Sequence, residues 1–549
     1  MANERKRLAE LLKDRNLIRD DHIKHALQEQ KITHRKIGEI LESSGFVTQY
    51  DIATSVAAQL GMEYLDVNDV LPETDALRLY NRNLCKTHTF LPIRRRDNTV
   101  DVITANEDLA SLAQIVSRHN SLTSRIFQGE RNKINNAIDH FYFFLDNPIE
   151  ELLAREIAVV GAETEAVSAL DSLLTNIFRL AIKNRATDIH IRPMEYTINV
   201  AFRIDGIMRP MFSLGTNMRR LTSTVKIRAD LDISETRLPQ DGRFSISVLN
   251  NDYDIRVSTV VVPYGENVVM RILSRNAGVL GIRQLGFMED DIKLLELMFD
   301  QPQGMVLLAG PTGSGKTTTM YAGLQSLDVL TKNVMTVEDP IEYRMPMVRQ
   351  TQTNVRAGYT FAEAIKHFLR HDPDAILVGE IRDSETAKTA VTAAETGHLV
   401  LSTLHTNNVL GVIPRLQSLG VLPYMIADSL VGVISQRLVR RICPNCKEEY
   451  APTDRERRYF NAYDLNKAYR GKGCDTCNGT GFYGRSPVYE ILRVTPELSA
   501  AIAREDDMDV LAAVANRKGY KNIMTISFEQ VSRGVTSPAE VIRTLGSDE

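Results

Sequence analysis

Apolar positions in the first sixty residues recur as two copies set 29 residues apart. Leu8, Leu12, Ile23 and Leu27 return as Ile37, Leu41, Ile52 and Val56, while Arg7, Ala9, Asn16 and Gln30 return as Lys36, Gly38, Gly45 and Gln59. A spacing of four residues stacks side chains on one helix face, so each copy predicts a short helix, a turn and a second amphipathic helix. Region 1–64 therefore reads as two helical hairpins made by duplication. From 65 to 145 strand-like runs at 89–93 and 99–103 alternate with helical patterns at 109–118 and 133–144, which predicts a small α/β module completing the N-terminal domain. Residues 146–166 are polar and acidic with scattered apolar positions; they read as a linker with some helix, where mobility is expected.

A helical pattern over 169–185 opens the next domain, 167–280. Strand candidates follow at 188–192, 198–204, 243–248 and 253–259, with turn signals at Asp205-Gly206 and Asp241-Gly242, so a curved mixed sheet beside helices is expected. From 285 to 549 apolar runs at 305–309, 334–337, 375–378 and 399–403 each lie near a helix-length segment, the alternation of a wound α/β sheet. The fold class is α/β and multidomain. A chain of 549 residues demands as much, because single cores stop growing at roughly 250–300 residues. The formal net charge of −4 is not that of a dedicated nucleic-acid binder, and no nucleic-acid partner is expected. Residues 1–7 are charged and lack the apolar core of a signal peptide. The most apolar run, 420–435, is broken by Pro423 and Asp428 and falls short of the roughly 20 residues that span a bilayer; a buried helix is expected there.

The chemistry concentrates after the run 305–309. Gly310-Pro311-Thr312-Gly313-Ser314-Gly315-Lys316-Thr317, with Thr318 opening a helix, fits the phosphate-binding P-loop. Glycine-rich backbone and a helix N-terminus present several N–H groups to one anion, Lys316 would reach the β- and γ-phosphates of a nucleoside triphosphate such as ATP, and Thr317 would offer its hydroxyl to Mg²⁺. The bland alternative is an ordinary glycine turn. Glu380 closes the run 375–378 and is the candidate for polarising the attacking water. A second acid cluster, Glu338-Asp339 with Glu342, closes another strand and is placed to reach the metal shell. His398 and His405 flank the last strand; one is a candidate hydrogen-bonding sensor and the other a packing residue. Cys443 and Cys446, then Cys474 and Cys477, form two Cys-x-x-Cys knuckles that suit tetrahedral Zn²⁺, with a redox pair as runner-up. Cys85 stands alone and reads as packing. Arg237, Arg243, Arg256 and Arg271 crowd the domain before the P-loop, either as solvated or ion-paired charge or as guanidiniums that reach a neighbouring subunit's triphosphate.

These residues carry a family resemblance. Thr336-Val337-Glu338-Asp339-Pro340-Ile341-Glu342, Asp372-Pro373-Asp374 with Gly379-Glu380-Ile381-Arg382-Asp383, and Gly397-His398 with Ser402-Thr403-Leu404-His405-Thr406-Asn407 resemble the Asp box, Walker B and His box of the secretion ATPase superfamily. Asp188-Ile189-His190-Ile191-Arg192-Pro193, Phe202-Arg203-Ile204-Asp205-Gly206, Arg237-Leu238-Pro239-Gln240-Asp241-Gly242-Arg243 and Gly484-Arg485-Ser486-Pro487-Val488-Tyr489-Glu490 match as well. The four-cysteine insert and long N-terminal region resemble its assembly branch, the type II secretion and type IV pilus assembly ATPases. The resemblance implies a RecA-like P-loop core (285–549) with a four-cysteine zinc insert (441–487), preceded by a PAS-like domain (167–280). It implies a cytoplasmic homohexamer, peripheral to the inner membrane, that hydrolyses ATP with Mg²⁺ to drive filament assembly through a platform protein and a docking protein. By position, Lys316 and Thr317 bind phosphate and Mg²⁺, Glu338 and Glu380 with His405 prepare metal and water, and Arg243 and Arg256 complete the site.

The repeat in 1–64 resembles the tandem 24-residue cyclic-di-GMP-binding motif of MshEN-like domains. Ala9 and Asn16 stand where that motif has glycine, and Lys36 where it has arginine. Cyclic-di-GMP as a regulator and a duplicated docking domain without ligand both stand. For the whole chain, an ATPase motor leads over a nucleotide-gated adaptor with negligible turnover and over a nucleic-acid translocase. Pilus and secretion pathway stay open.

Overall fold

The computed structural model describes residues 7–120, 122–162, 167–275, 279–517 and 519–546. The chain forms two compact units, one of residues 1–51 and 279–549, the other of residues 52–278. Among the described residues no helix is long and apolar enough to cross a membrane.

Within 52–278, strands β1 (Phe90–Arg96), β2 (Thr99–Thr104) and β3 (Thr123–Gln128) form a sheet in that order, β1 antiparallel and β3 parallel to β2. Helix Arg131–Asp146 closes this core through Ile134, Ile138 and Tyr142. Cys85 is buried 3.2 Å from the Tyr142 hydroxyl, and burial pushes its thiol up to about 12, as befits a packing residue.

The second sheet of this unit has six strands: β4 (Ala186–Pro193), β5 (Thr197–Ile204), β6 (Ile207–Gly215), β7 (Gln240–Val248), β8 (Asn251–Val262) and β9 (Gly265–Ser274). Their order is β6-β5-β4-β9-β8-β7 and every pairing is antiparallel, so the expected mixed sheet is not formed. Short turns between β4 and β5, β5 and β6, β7 and β8, and β8 and β9 dictate four of these five pairings, since only parallel neighbours need a long crossover. Asp205-Gly206 is the expected tight turn, with φ +48° and +84°. Asp241-Gly242 is no turn; it lies inside β7, where a Cβ on Gly242 would meet the Ala229 carbonyl oxygen at 2.5 Å. That glycine serves close approach. Helices Val167–Lys183 and Arg220–Arg228 cover one face of the sheet. The stretch read as a linker forms helix Ile149–Ala162, whose Ile149 and Leu153 join the same core. Glu156 of this helix accepts hydrogen bonds from Ser172 (2.6 Å) and Asn176 (2.7 Å). Residues 163–166, the tail of that stretch, lie outside the described residues.

The N-terminal helices begin at Leu8 and Ile37 and at Asp20 and Gln49, the 29-residue offset of the repeat. Asn16 and Gly45, equivalent by that offset, both adopt left-handed backbone, φ +58° and +77°. Asparagine tolerates this conformation better than most residues, so Asn16 keeps the glycine's turn.

The large sheet contains β10 (Gly304–Ala309), β11 (Val334–Glu338), β12 (Arg349–Gln352), β13 (Ala375–Val378), β14 (Leu399–Leu404) and β15 (Leu430–Ile442). A two-stranded ribbon, β16 (Lys447–Tyr450) and β17 (Ala468–Gly471), follows, and β18 (Phe482–Arg493) returns to the large sheet. The order is β12-β11-β13-β14-β10-β15-β18, parallel except for β15 with β18. The apolar run 420–435 is not one buried helix: helix Pro423–Ser429 gives way to β15, where Val431, Val433 and Ile434 suit a strand. β10 is buried on both faces, Val306 and Leu308 against the helix Lys316–Ser326 side and Met305 and Leu307 against the helix Ser384–Glu395 side. Parallel strands bring their carboxyl ends to one edge, where ligand sites of such sheets form.

Candidate nucleotide site and metal centre

β10 ends at Ala309, and the loop from Gly310 turns into helix Lys316–Ser326, two residues earlier than its pattern suggested. Gly310, Gly313 and Gly315 have φ of +135°, +78° and +92°. Two of them also make room for Gln436 on β15: a Cβ would sit 2.6 Å from the Gln436 carbonyl oxygen at 310 and 2.7 Å from its Nε2 at 315. Gln436 locks the loop, donating to the Ser314 carbonyl (2.7 Å) and accepting from Thr319 Oγ1 (2.9 Å). Lys316 is buried and folds back, its Nζ donating to the carbonyls of Gly310 (2.7 Å) and Pro311 (3.0 Å). Desolvation lowers its pKa and the nearby Arg437 charge lowers it further, against the pull of Glu380. Ser314 Oγ is buried with no hydrogen-bond partner. An orphaned hydroxyl, left-handed glycines and a desolvated ammonium are what an incoming phosphate would satisfy, so the loop fits a nucleoside triphosphate. Thr317 follows Lys316 as an exposed hydroxyl and Thr318 is half-buried.

Glu380 lies two residues past β13, its side chain 15% exposed, 2.6 Å from Arg382 Nη2 and 3.6 Å from His405 Nε2. His405 follows β14 at the same sheet edge, whereas His398 precedes β14 at the opposite edge and holds the Ala393 carbonyl at 2.9 Å. Of the two histidines, only His405 is near the loop. Glu338 ends β11 and is enclosed: Tyr321 donates to Oε2, and Thr336 Oγ1 (2.7 Å) and Gln350 Nε2 (3.1 Å) donate to Oε1.

In the unit 52–278, Arg243 on β7 pairs in register with Arg256 on β8, Arg256 with Arg271 on β9, and Arg271 with Asp188 on β4. Residues directly opposite on neighbouring strands share a face, so these three arginines form one row. Asp188 is buried and takes Arg271 Nε at 3.0 Å and Arg203 Nε at 3.7 Å. Arg237 stands apart, paired with Glu235.

The four insert cysteines converge. Their sulfurs lie within 4.8 Å of one another, with Cys443–Cys474 at 3.8 Å, Cys446–Cys477 at 3.9 Å and Cys474–Cys477 at 3.7 Å. A tetrahedron with metal–sulfur bonds of about 2.3 Å has edges of about 3.8 Å, so the cluster fits Zn²⁺. Backbone N–H groups of Cys474 (3.2 Å) and Gly481 (3.2 Å) point at Cys477 Sγ, and that of Gly473 (3.3 Å) at Cys446 Sγ. For Cys477, burial works against the thiolate but these donors outweigh it and lower the pKa.

Residues 163–543 match the Type II/IV secretion system protein family, and residues 60–145 match the MshEN domain. The chain belongs to the type II/IV secretion system protein family. Type IV pilus assembly ATPase PilB of Thermus thermophilus is 36% identical over 524 residues, 92% of this chain but only 59% of that protein's length. Type II secretion system ATPase E of Vibrio cholerae is 42% identical, with 69% of this chain and 76% of that protein covered. PilB of Myxococcus xanthus is 34% identical, with 99% of both covered. Among solved structures, the ATPase DotB of Yersinia pseudotuberculosis superposes with a TM-score of 0.51 at 20% identity, covering 68% of this chain and 93% of that one, which shows the shared fold. The MshEN match falls on the α/β module, so family match and helical repeat 1–64 rest on almost separate residues. The sequence motifs named above did not include Gln436, Arg437 or Tyr321. For Gln436 and Arg437, the polar run Ser435-Gln436-Arg437 interrupting the apolar part of β15 was the available signal.

Proposed function

We propose that the protein is an Mg²⁺-dependent ATPase that drives assembly of a type IV pilus or a type II secretion pseudopilus. The observation that carries this is the gathering of Lys316, Glu380 and His405 beside an under-satisfied P-loop at one sheet edge. Lys316 exchanges its two loop carbonyls for phosphate oxygens as ATP enters, Glu380 orients the attacking water, and His405 steadies the Glu380 carboxylate. Glu338 holds the end of β11 against the P-loop helix through Tyr321. Mg²⁺, held with help from Thr317, supplies charge neutralisation of the phosphates. Arg243 and Arg256 complete the site, in a homohexamer whose members share nucleotide contacts. The motor works at the cytoplasmic face of the inner membrane on a platform protein, with a docking protein holding the N-terminal region. Zn²⁺ staples the insert.

The names of the pilus and type II secretion relatives support both pathways. The left-handed Asn16 beside its equivalent Gly45 supports a second element of the proposal, that the N-terminal domain binds cyclic-di-GMP as a regulator. Calorimetry of the full chain with cyclic-di-GMP tests it: saturable heat is expected, and silence favours a docking role alone. The motor is tested by phosphate release with membrane partner present. Turnover abolished by Glu380→Gln is expected; background release unaffected by that change leaves a nucleotide-gated adaptor, and salt-sensitive stimulation by DNA revives a translocase.

A further inference from the structure

Beside the P-loop, β15 carries a cation outside the motifs named above. β15 runs parallel to β10 with Ser435 level with Ala309, so Gln436 and Arg437 lie just past the point where β10 becomes the phosphate loop. Successive side chains on a strand point to opposite faces. Gln436 turns to the side of Ser314 and Thr319, and Arg437 to the other. There Arg437 Nη2 reaches the Asn407 carbonyl at a long 3.4 Å, two residues beyond His405, while Nη1 is buried with no hydrogen-bond partner. Glu490 on β18 pairs in register with Ser435, which places it on Arg437's face. It is 3% exposed and is held by the Val409 N–H (2.8 Å) and the Tyr520 hydroxyl. Arg437 is thus a half-buried guanidinium between Lys316, whose charge it opposes, and Glu490, whose charge it attracts. A desolvated cation with one long bond is costly unless something completes its bonding. An anion on the P-loop would do so.

We propose that Arg437 contacts the terminal phosphate of a bound nucleoside triphosphate and, through Glu490, links the presence of that phosphate to the Val409 loop and the C-terminal segment at Tyr520. This rests on the ATPase reading. A guanidinium drawn toward the phosphate loosens its hold on Glu490, whose other partners, the Val409 N–H, the Tyr520 hydroxyl and the Ile523 backbone, belong to those two segments.

The test compares affinities of the full chain for a non-hydrolysable ATP analogue and for ADP, in wild type, Arg437→Gln and Arg437→Lys. Arg437→Gln is expected to weaken the analogue about tenfold or more while changing ADP less than twofold, with Lys recovering part of the loss, because a charge-assisted bond is lost only where a third phosphate exists. Hydrogen exchange over 508–532 is expected to respond to the analogue in wild type and not in Arg437→Gln. Equal loss for both nucleotides, or none for either, overturns the proposal; wild type binding neither nucleotide overturns the ATPase reading itself.

Discussion

Glu338 and Glu380 close neighbouring strands, β11 and β13, of one parallel sheet, and both follow apolar runs that look alike in sequence. Their surroundings differ. Glu338 is 4% exposed and receives three side-chain donors, two of which, Tyr321 and Gln350, come from other elements. Glu380 faces Arg382 and His405 and its charge reaches Lys316. A carboxylate held by three fixed donors keeps little freedom to orient a water and serves mainly to tie its strand to the neighbouring elements, whereas one facing exposed side chains can turn to a reacting group. Position at the sheet edge selects the candidates; hydrogen-bond occupancy divides them.

The largest effect that sharpens this contrast is on turnover. Glu380→Gln should reduce ATP hydrolysis by about 10² to 10⁴-fold, the usual range for a group that positions the reacting water, with the melting temperature nearly unchanged. Lys316→Ala should remove nucleotide binding equally cleanly. Next comes the metal: elemental analysis should find about one Zn²⁺ per chain, and chelation should unfold the 441–487 insert, detected by hydrogen exchange, while the Glu338 and Glu380 pockets stay protected. Smaller again is the loss of stability in Glu338→Gln, about 1–3 kcal/mol by denaturant unfolding, because an amide cannot accept all three donors; Tyr321→Phe should cost about 1 kcal/mol. A Glu338→Gln protein that is fully stable but inactive would erase the distinction between the two acids.

The smallest effect concerns a third carboxyl of the same sheet. Burial raises the pKa of Glu490, although Tyr520, the Val409 N–H and Arg437 pull the other way. A carboxyl that binds its proton more tightly when folded contributes stability fully below the ordinary carboxylate range, and that contribution is lost as pH rises through the raised value. Wild type should therefore lose stability relative to Glu490→Gln as pH climbs from acid toward neutral. Parallel pH curves for the two proteins would show that Glu490 titrates alike in folded and unfolded chains.

The phosphate loop was legible because its glycines, lysine and preceding apolar strand are contiguous, and four strands of the large sheet were legible as largely apolar runs. Contacts made across the sheet were not. Gln436 lies 122 positions from Ser314, and only the pairing of β15 with β10 brings them together. Gly242 resembles a turn residue because glycine answers both to a tight turn and to a backbone passing at 2.5 Å, and single-chain pattern cannot separate the two. The stretch 146–166 reads as a linker with some helix; that its helix 149–162 packs into the core was hidden by its acidic face, whose Glu150 and Glu156 serve Lys183, Ser172 and Asn176. In sequence Glu380 is the candidate for the water and Glu338 for the metal shell, and the enclosure of Glu338 was hidden for the same reason: its donors Tyr321 and Gln350 arrive from elsewhere in the fold.

The most direct measurement is phosphate release by the purified, zinc-loaded full chain with Mg-ATP and membrane partner, wild type beside Glu380→Gln and Glu338→Gln. The account expects release from wild type, background from Glu380→Gln, and residual turnover from Glu338→Gln in proportion to the protein that remains folded. A wild-type chain that binds no ATP and releases no phosphate, or a Glu380→Gln chain that matches it, would contradict the central claim.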